Sequence, residues 1–580
     1  MHAFLGSVLL VVAAAGVVSG VRAVLAACGE ARGSVIAAST LAVLAAVPLS
    51  LQPLIGLKAA VLVLGIVAAI VGRTLAPIAT TTTTAFWPSS ARLLSALLFG
   101  LLAFVAVGTF LWDEGSTHLP LAGAIARDMV PLEHPLFPGQ PLRYHAGFDV
   151  VAGVVRAFTL LPLDLCIDVV TLAAIGLLLW GIHDLACALA PRSGPWALVV
   201  VLLAGGPVAA LLADGWGMAL PGKGLFPAAW VSGAFFPPLV VTNVFQHPQG
   251  LAMPIACATL MVASVPSLRR FAVAAVLIVL CSRVQIVFAA VTGLAVLVLA
   301  LRARDVPALI VLVVAAAVCG LDSGFTGAAG GQLVWGGAFA RDGAAALVHE
   351  PLAFGVSLGA PVLGWVLWRR ARSDLVVALA VAGTFGFIVA NVISYARSWD
   401  IVKLFGVSAF FTHFLLAAWL ASARRNVAVA VVVVSCWSGG VWLVRHGPGN
   451  GVIAPTYREQ GLADDVAAFA DDVAPLIPAS ARVFSPDLRL ARTGVVVPGT
   501  DWTWSRDTAA LLLDRPRVEA MTEAWTRAKI DLDDDALRTL QAEYVVVRAR
   551  DPLLVTLQDR ERFEPITGTG RYWRLFVVWP

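Results

Sequence analysis

A chain of 580 residues that is 59% hydrophobic and 13% charged, with a mean hydropathy of +0.87, is too apolar for an ordinary water-exposed surface. Its net charge of +4 is small and spread along the chain as arginines between apolar runs, which argues against a nucleic-acid-binding face. Lipid is therefore the expected solvent. Hydrocarbon offers backbone amides no hydrogen-bond partner, so runs rich in Ala, Leu and Val are expected as helices, and the alternation of a β-barrel is missing.

Apolar runs centred near residues 13, 42, 67 and 102 come first. No Lys or Arg precedes the first run, so it reads poorly as a cleaved signal. Leu25-Ala26-Ala27-Cys28 looks like a lipoprotein cleavage box, but Arg22 interrupts the run and a basic leader is lacking, so lipidation is not expected. The other six cysteines lie in or beside apolar segments without CxxC spacing, which indicates neither a disulfide framework nor a zinc site.

A polar loop begins where the fourth span ends, at Trp112-Asp113-Glu114-Gly115-Ser116-Thr117-His118. It runs through Ile125-Ala126-Arg127-Asp128 and the Pro-rich stretch His134 to Pro141, then Arg143-Tyr144-His145. The following segment, Phe148 to Leu163, is short for a crossing and carries Arg156, so it is expected as an amphipathic helix lying in the outer interface. Further apolar runs lie at about 165–190, 195–213, 248–266, 271–301, 306–321, 352–368, 374–395, 402–421 and 426–444. The run 271–301 is broken by Cys281-Ser282-Arg283-Val284-Gln285, which predicts two short helices or a bent hairpin. Asp168, His183 and Asp184 either face the bundle interior or sit at its ends, and Arg283 is read as facing a cavity.

Arg22 and Arg32, Arg73 and Arg92, Arg192, Arg269 and Arg270, Arg302 and Arg304, Arg369 to Arg372, and Arg424 and Arg425 fall in alternate connections. The positive-inside rule makes those connections cytoplasmic and gives about fourteen spans with both termini outside. The stretches 113–164, 214–247, 322–351 and 396–401 then share the opposite compartment. Two of them carry further polar groups at span ends: Asn243 to Gln249, including His247, and Arg397-Ser398-Trp399-Asp400-Ile401-Val402-Lys403. Lys403 is one of only four lysines; at a boundary beside Arg397 and Asp400 it suits either a lipid phosphate or a snorkelling anchor. Tryptophans on the outer side fit an aromatic belt better than sugar stacking.

From about residue 446 charged and apolar residues alternate, which marks a soluble α/β domain of about 130 residues. A helix is expected over Tyr457 to Ala474, a strand at Arg482 to Phe484, a helix from Asp533 to Gln541 leading into a strand at Tyr544 to Val547, and a last strand from Tyr572 to Val578. Asp531, Asp533, Asp534 and Asp535 are read as a solvated helix start, since the Gly and distal Glu of a calcium loop are missing.

A span ending in an acidic pair, a short helix, a Pro-rich loop, a His- and Tyr-containing turn and an interfacial helix together resemble the GT-C superfamily of integral membrane glycosyltransferases, specifically bacterial members with an outer C-terminal domain. The resemblance covers 93–445, with 1–92 as additional spans and 446–580 as the extracytoplasmic domain; it implies a multi-pass protein of the bacterial inner membrane. It implies a sugar donor on a polyprenyl phosphate, a glycan, lipid or protein acceptor, and Asp113 as the acid that engages acceptor or metal, with Glu114 and His118 beside it. Arg143, His145, His247, Arg397, Asp400 and Lys403 are candidates for binding the donor phosphate or substrate. No metal-ligand spacing is present, although outer acids assembled in space leave a divalent ion open. Gly115-Ser116-Thr117 follows the acidic pair without the aromatic or second acidic cluster of better understood members. A non-catalytic scaffold of envelope polysaccharide assembly and a lipid or solute transporter remain the alternatives.

Overall fold

Among the described residues, the expected apolar runs fall in helices. They run His2–Ala27, Gly33–Ile55, Leu57–Leu75, Ser89–Ala106, Leu163–Leu189, Gly194–Leu203, His247–Ala263, Leu268–Val284, Ile286–Ala303, Val306–Asp322, Asp374–Val392, Lys403–Leu420 and Arg425–Arg445. The computed structural model describes residues 2–75, 87–107, 118–129, 133–134, 137–141, 145–205, 239–245, 247–322, 333–335, 373–395, 403–445, 468–478, 481–487, 490, 515–566 and 571–579. The expected span 352–368 lies outside them. Among the described residues seven helices are long and apolar enough to cross a membrane. Large apolar side chains such as Phe4, Val11, Ile66, Phe104 and Val313 are exposed, which suits a surface solvated by hydrocarbon. The chain is a mostly helical protein with membrane-spanning character and a small C-terminal sheet.

Small residues let the first and third helices touch along their backbones. Gly16 faces the carbonyl of Gly65 so closely that a Cβ at position 16 would overlap it, the small-residue contact by which helices associate in lipid. The N-terminal helices are not peripheral: Gly33–Ile55 packs against Leu163–Leu189, His247–Ala263 and Leu268–Val284, inside one shared core.

The broken run resolves into a hairpin. Leu268–Val284 ends at Gln285, whose extended backbone (φ −160°, ψ 110°) reverses the chain into Ile286–Ala303. Ile278 then packs beside Gly293, equally far from the turn. Gln285 itself caps the second helix, its side chain accepting from the Val287 amide.

Because of that reversal, the arginine-bearing connections gather at one end. Arg270 donates to the carbonyl of Cys28 at 2.9 Å and lies 3.4 Å from Glu30. Ser34 bonds Asp184 at 2.5 Å, and Arg302 pairs with Asp374 at 2.6 Å. The opposite end holds Gln52, which donates to the carbonyl of Ile125 at 3.0 Å, and Asp128, which accepts from the Leu57 amide at 2.6 Å.

The segment expected to lie on the lipid interface is instead enclosed. Helix Gly147–Thr159 buries Phe148, Asp149, Val150, Val154 and Phe158. Helix Leu119–Ala126 packs on one side of it, and helices Gly33–Ile55, His2–Ala27 and Leu163–Leu189 on others. The pattern is amphipathic, but the N-terminal helices occupy the place that lipid would have taken. Arg156 is turned to the helix end, where it donates to the carbonyls of Leu160 and Leu161 at 2.6 Å each.

The C-terminal sheet runs in the order Val483–Phe484, Tyr544–Arg548, Trp573–Val578, Phe563–Ile566, the first pair parallel and the others antiparallel. Its central strand is a valine run because both faces are covered: Val545 and Val547 pack with Phe484, Trp525 and Phe576, and Val546 packs with Phe469 and Trp573. The strand Phe563–Ile566 and the helices Arg515–Asp531 and Leu553–Asp559 were not anticipated. Of the expected helix from Tyr457 to Ala474, the described part is a wide turn at Phe469–Val473 running into a tight one at Ala474–Leu476. Arg127 joins this domain to the bundle, donating to the carbonyls of Ile477 and Pro478 at 3.2 and 3.0 Å.

Candidate functional site

Two of the sequence-derived candidates, His118 and His247, meet although 129 positions separate them; their rings stand edge to face, with centroids 5.4 Å apart. His118 immediately precedes helix Leu119–Ala126. His247 opens helix His247–Ala263. Between them comes Phe148, stacked on His247 at 4.6 Å and edge-on to His118 at 5.7 Å.

The charge in this cluster belongs to Asp149. It sits in the first turn of helix Gly147–Thr159, where the helix dipole favours a carboxylate. His118 Nδ1 lies 2.8 Å from Asp149 Oδ1, and both side chains are fully buried. A carboxylate at Nδ1 fixes the imidazole with that nitrogen protonated and leaves Nε2 as the basic side, an assignment that follows from the hydrogen bond. Thr171 holds the second histidine, with its Oγ1 3.1 Å from His247 Nδ1. Such an arrangement orients both imidazoles. Its burial keeps water from competing.

Other candidates flank this cluster at the same end. His145 lies two residues before Gly147, half-buried. Gly147 rests on the end of helix Leu268–Val284, where a Cβ would come within about 3.0 Å of the Val284 side chain and the Arg283 carbonyl. Lys403 begins helix Lys403–Leu420, and Gly406, one turn on, is in contact with Asn243 of the short helix Leu239–Phe245 that leads to His247. Asp113, Glu114, Arg143, Arg397 and Asp400 lie outside the described residues.

Asp149, Phe148 and Thr171 were missed. Asp149 had a usable signal, as the only carboxylate in its helix and flanked by apolar residues, a position that calls for a partner. Thr171, a neutral residue in a long apolar span, had none. Among the described residues no group of three or more His, Cys, Asp or Glu side chains has the geometry to hold a metal ion.

No protein-family model matches the chain, and no curated protein matches it.

Proposed function

We propose that this chain is an integral membrane glycosyltransferase that moves a sugar from a polyprenyl-phosphate-linked donor to an acceptor at the membrane face away from the cytoplasm. The observation that carries the reading is the convergence of His118 and His247, one from each of two polar loops, on each other and on Phe148, with His118 held by the buried Asp149. Positive-inside orientation assigns the arginine end to the cytosol, and the C-terminal domain, tied to Arg127, goes with the histidine end into the extracytoplasmic compartment.

In this reading Asp113 takes or orients the acceptor proton, with Glu114 beside it, while cationic groups stabilise the departing phosphate. Lys403, Arg143 and Arg397 are the phosphate partners, with His145 and Asp400 lining the substrate side. His118 is fully buried, so its work is positioning: held by Asp149, it fixes the point from which the loop carrying Asp113 departs. A donor anchored in lipid needs its reacting bond at the membrane surface, where Lys403 starts its helix.

Replacing Asp113 by Asn is expected to abolish transfer from a polyprenyl-phosphate sugar in proteoliposomes while membrane insertion and thermal stability stay normal. Full activity in that variant removes the mechanism, and absence of transfer by the unaltered protein with any such donor favours the scaffold reading.

A further inference from the structure

The arginine end holds a second assembly, which the sugar-transfer reading does not use. Four side chains form a line. Ser34 Oγ donates to Asp184 Oδ2 at 2.5 Å. Asp184 Oδ1 lies 3.3 Å from His183 Nδ1. His183 Nε2 lies 3.8 Å from the sulfur of Cys187, one helical turn on. The indole of Trp87 stacks on the His183 ring at 4.0 Å and fixes its plane.

This is the order in which a nucleophilic thiol is activated: carboxylate on one imidazole nitrogen, thiol on the other. A second feature acts on the same sulfur. Helix Gly194–Leu203 starts against it, and a Cβ at Gly194 would overlap the His183 ring and lie 2.9 Å from Cys187 Sγ. Only glycine leaves space for the ring and thiol there, and the positive end of a helix favours a thiolate.

Of the seven cysteines only Cys28 and Cys187 are partly exposed. Cys28 has no such machinery: its sulfur meets the Arg269 carbonyl at 4.0 Å, and burial holds its thiol above the ordinary range, against the pull of Arg270 and Arg269.

We propose that Cys187 is an acyl-acceptor thiol, modified by long-chain acyl thioesters, with His183 as its base and Asp184 and Ser34 as positioning residues. The class of substrate follows from place. Cys187 stands two residues before the end of the apolar helix Leu163–Leu189, between the exposed Trp180 and the exposed Arg192. An acyl chain can lie along the apolar helix with its thioester at the boundary. His183 Nε2 takes the thiol proton as sulfur attacks the thioester carbonyl. The bond from carbonyl carbon to the original sulfur breaks, and the departing thiolate recovers the proton from His183. The products are an acylated Cys187 and a free thiol, with no change of oxidation state.

The test uses the full-length protein in lipid nanodiscs with palmitoyl-coenzyme A. Peptide mass spectrometry is expected to find one acyl group on Cys187, removable by neutral hydroxylamine and absent from Cys187→Ser. His183→Gln is expected to slow its appearance at least about tenfold, with Cys28 unmodified throughout. In the unaltered protein, alkylation by iodoacetamide at about pH 7 should favour Cys187 over Cys28 by about tenfold or more. That measurement needs no variant, so it decides the matter even where His183→Gln does not fold. Equal alkylation of the two cysteines, or acylation that ignores His183, overturns the proposal.

Discussion

Each end of the bundle carries a buried histidine–aspartate pair, and the two are built differently. At the histidine end the partners come from separate elements 31 residues apart, and both are sealed from solvent. At the arginine end His183 and Asp184 are neighbours in sequence, slightly accessible, and lead outward to a partly exposed thiol. A sealed pair with ring neighbours holds elements in register. A pair that opens onto a nucleophile is arranged to pass a proton to it. The same two residue types thus do different work according to what the far imidazole nitrogen faces.

The contrast is sharpest in what each end loses on truncation. Asp149→Ala removes one partner from a fully buried pair and leaves His118 without its carboxylate, which is expected to cost about 3 to 5 kcal/mol. Thermal unfolding in detergent should show it as a large loss of stability; an unchanged midpoint would mean that the pair contributes nothing to register. Ser34→Ala is milder. It deletes one hydrogen bond to a charged acceptor, about 1.5 to 3 kcal/mol, and should also slow Cys187 alkylation because Asp184 holds His183 less firmly. A slowed reaction with a smaller loss of stability than Asp149→Ala shows is the outcome that separates this end from the other.

The smallest effect belongs to the C-terminal domain, whose exposed pair calibrates the buried ones. Arg527 lies 2.6 Å from Asp533, which also caps the next helix through the Ala536 amide at 2.7 Å. The Arg527 hydrogen bond, then the Ala536 amide, hold the Asp533 carboxyl below its ordinary value of 3.8. A carboxyl lowered on folding adds stability above its unfolded value and loses that contribution as pH falls through the folded one. The protection of the Ala536 amide against hydrogen exchange, relative to an unstructured amide at the same pH, should therefore fall on acidification below the ordinary carboxylate range, and Asp533→Asn should flatten that response.

Much of the fold was readable because hydrocarbon imposes it. Backbone groups with no water must bond within a helix, so apolar length marked the helical segments. Gln285 was legible as a break for the same reason: polar residues interrupt an apolar run where the chain must turn. The valine run at 545–547 was equally plain as a strand. Helix Gly147–Thr159 was legible as amphipathic, yet its surroundings were not, since one hydrophobic face fits lipid or protein equally well.

Sequence by itself determined the helical, apolar character of the segments, because this depends on each segment's own exchange between water and hydrocarbon. Tertiary structure alone decided that Asp149 meets His118, that Thr171 holds His247, and that Ser34 completes a line ending at Cys187. Those pairings depend on which polar side chains are buried together, and a buried polar group takes whatever partner packing brings within about 3 Å.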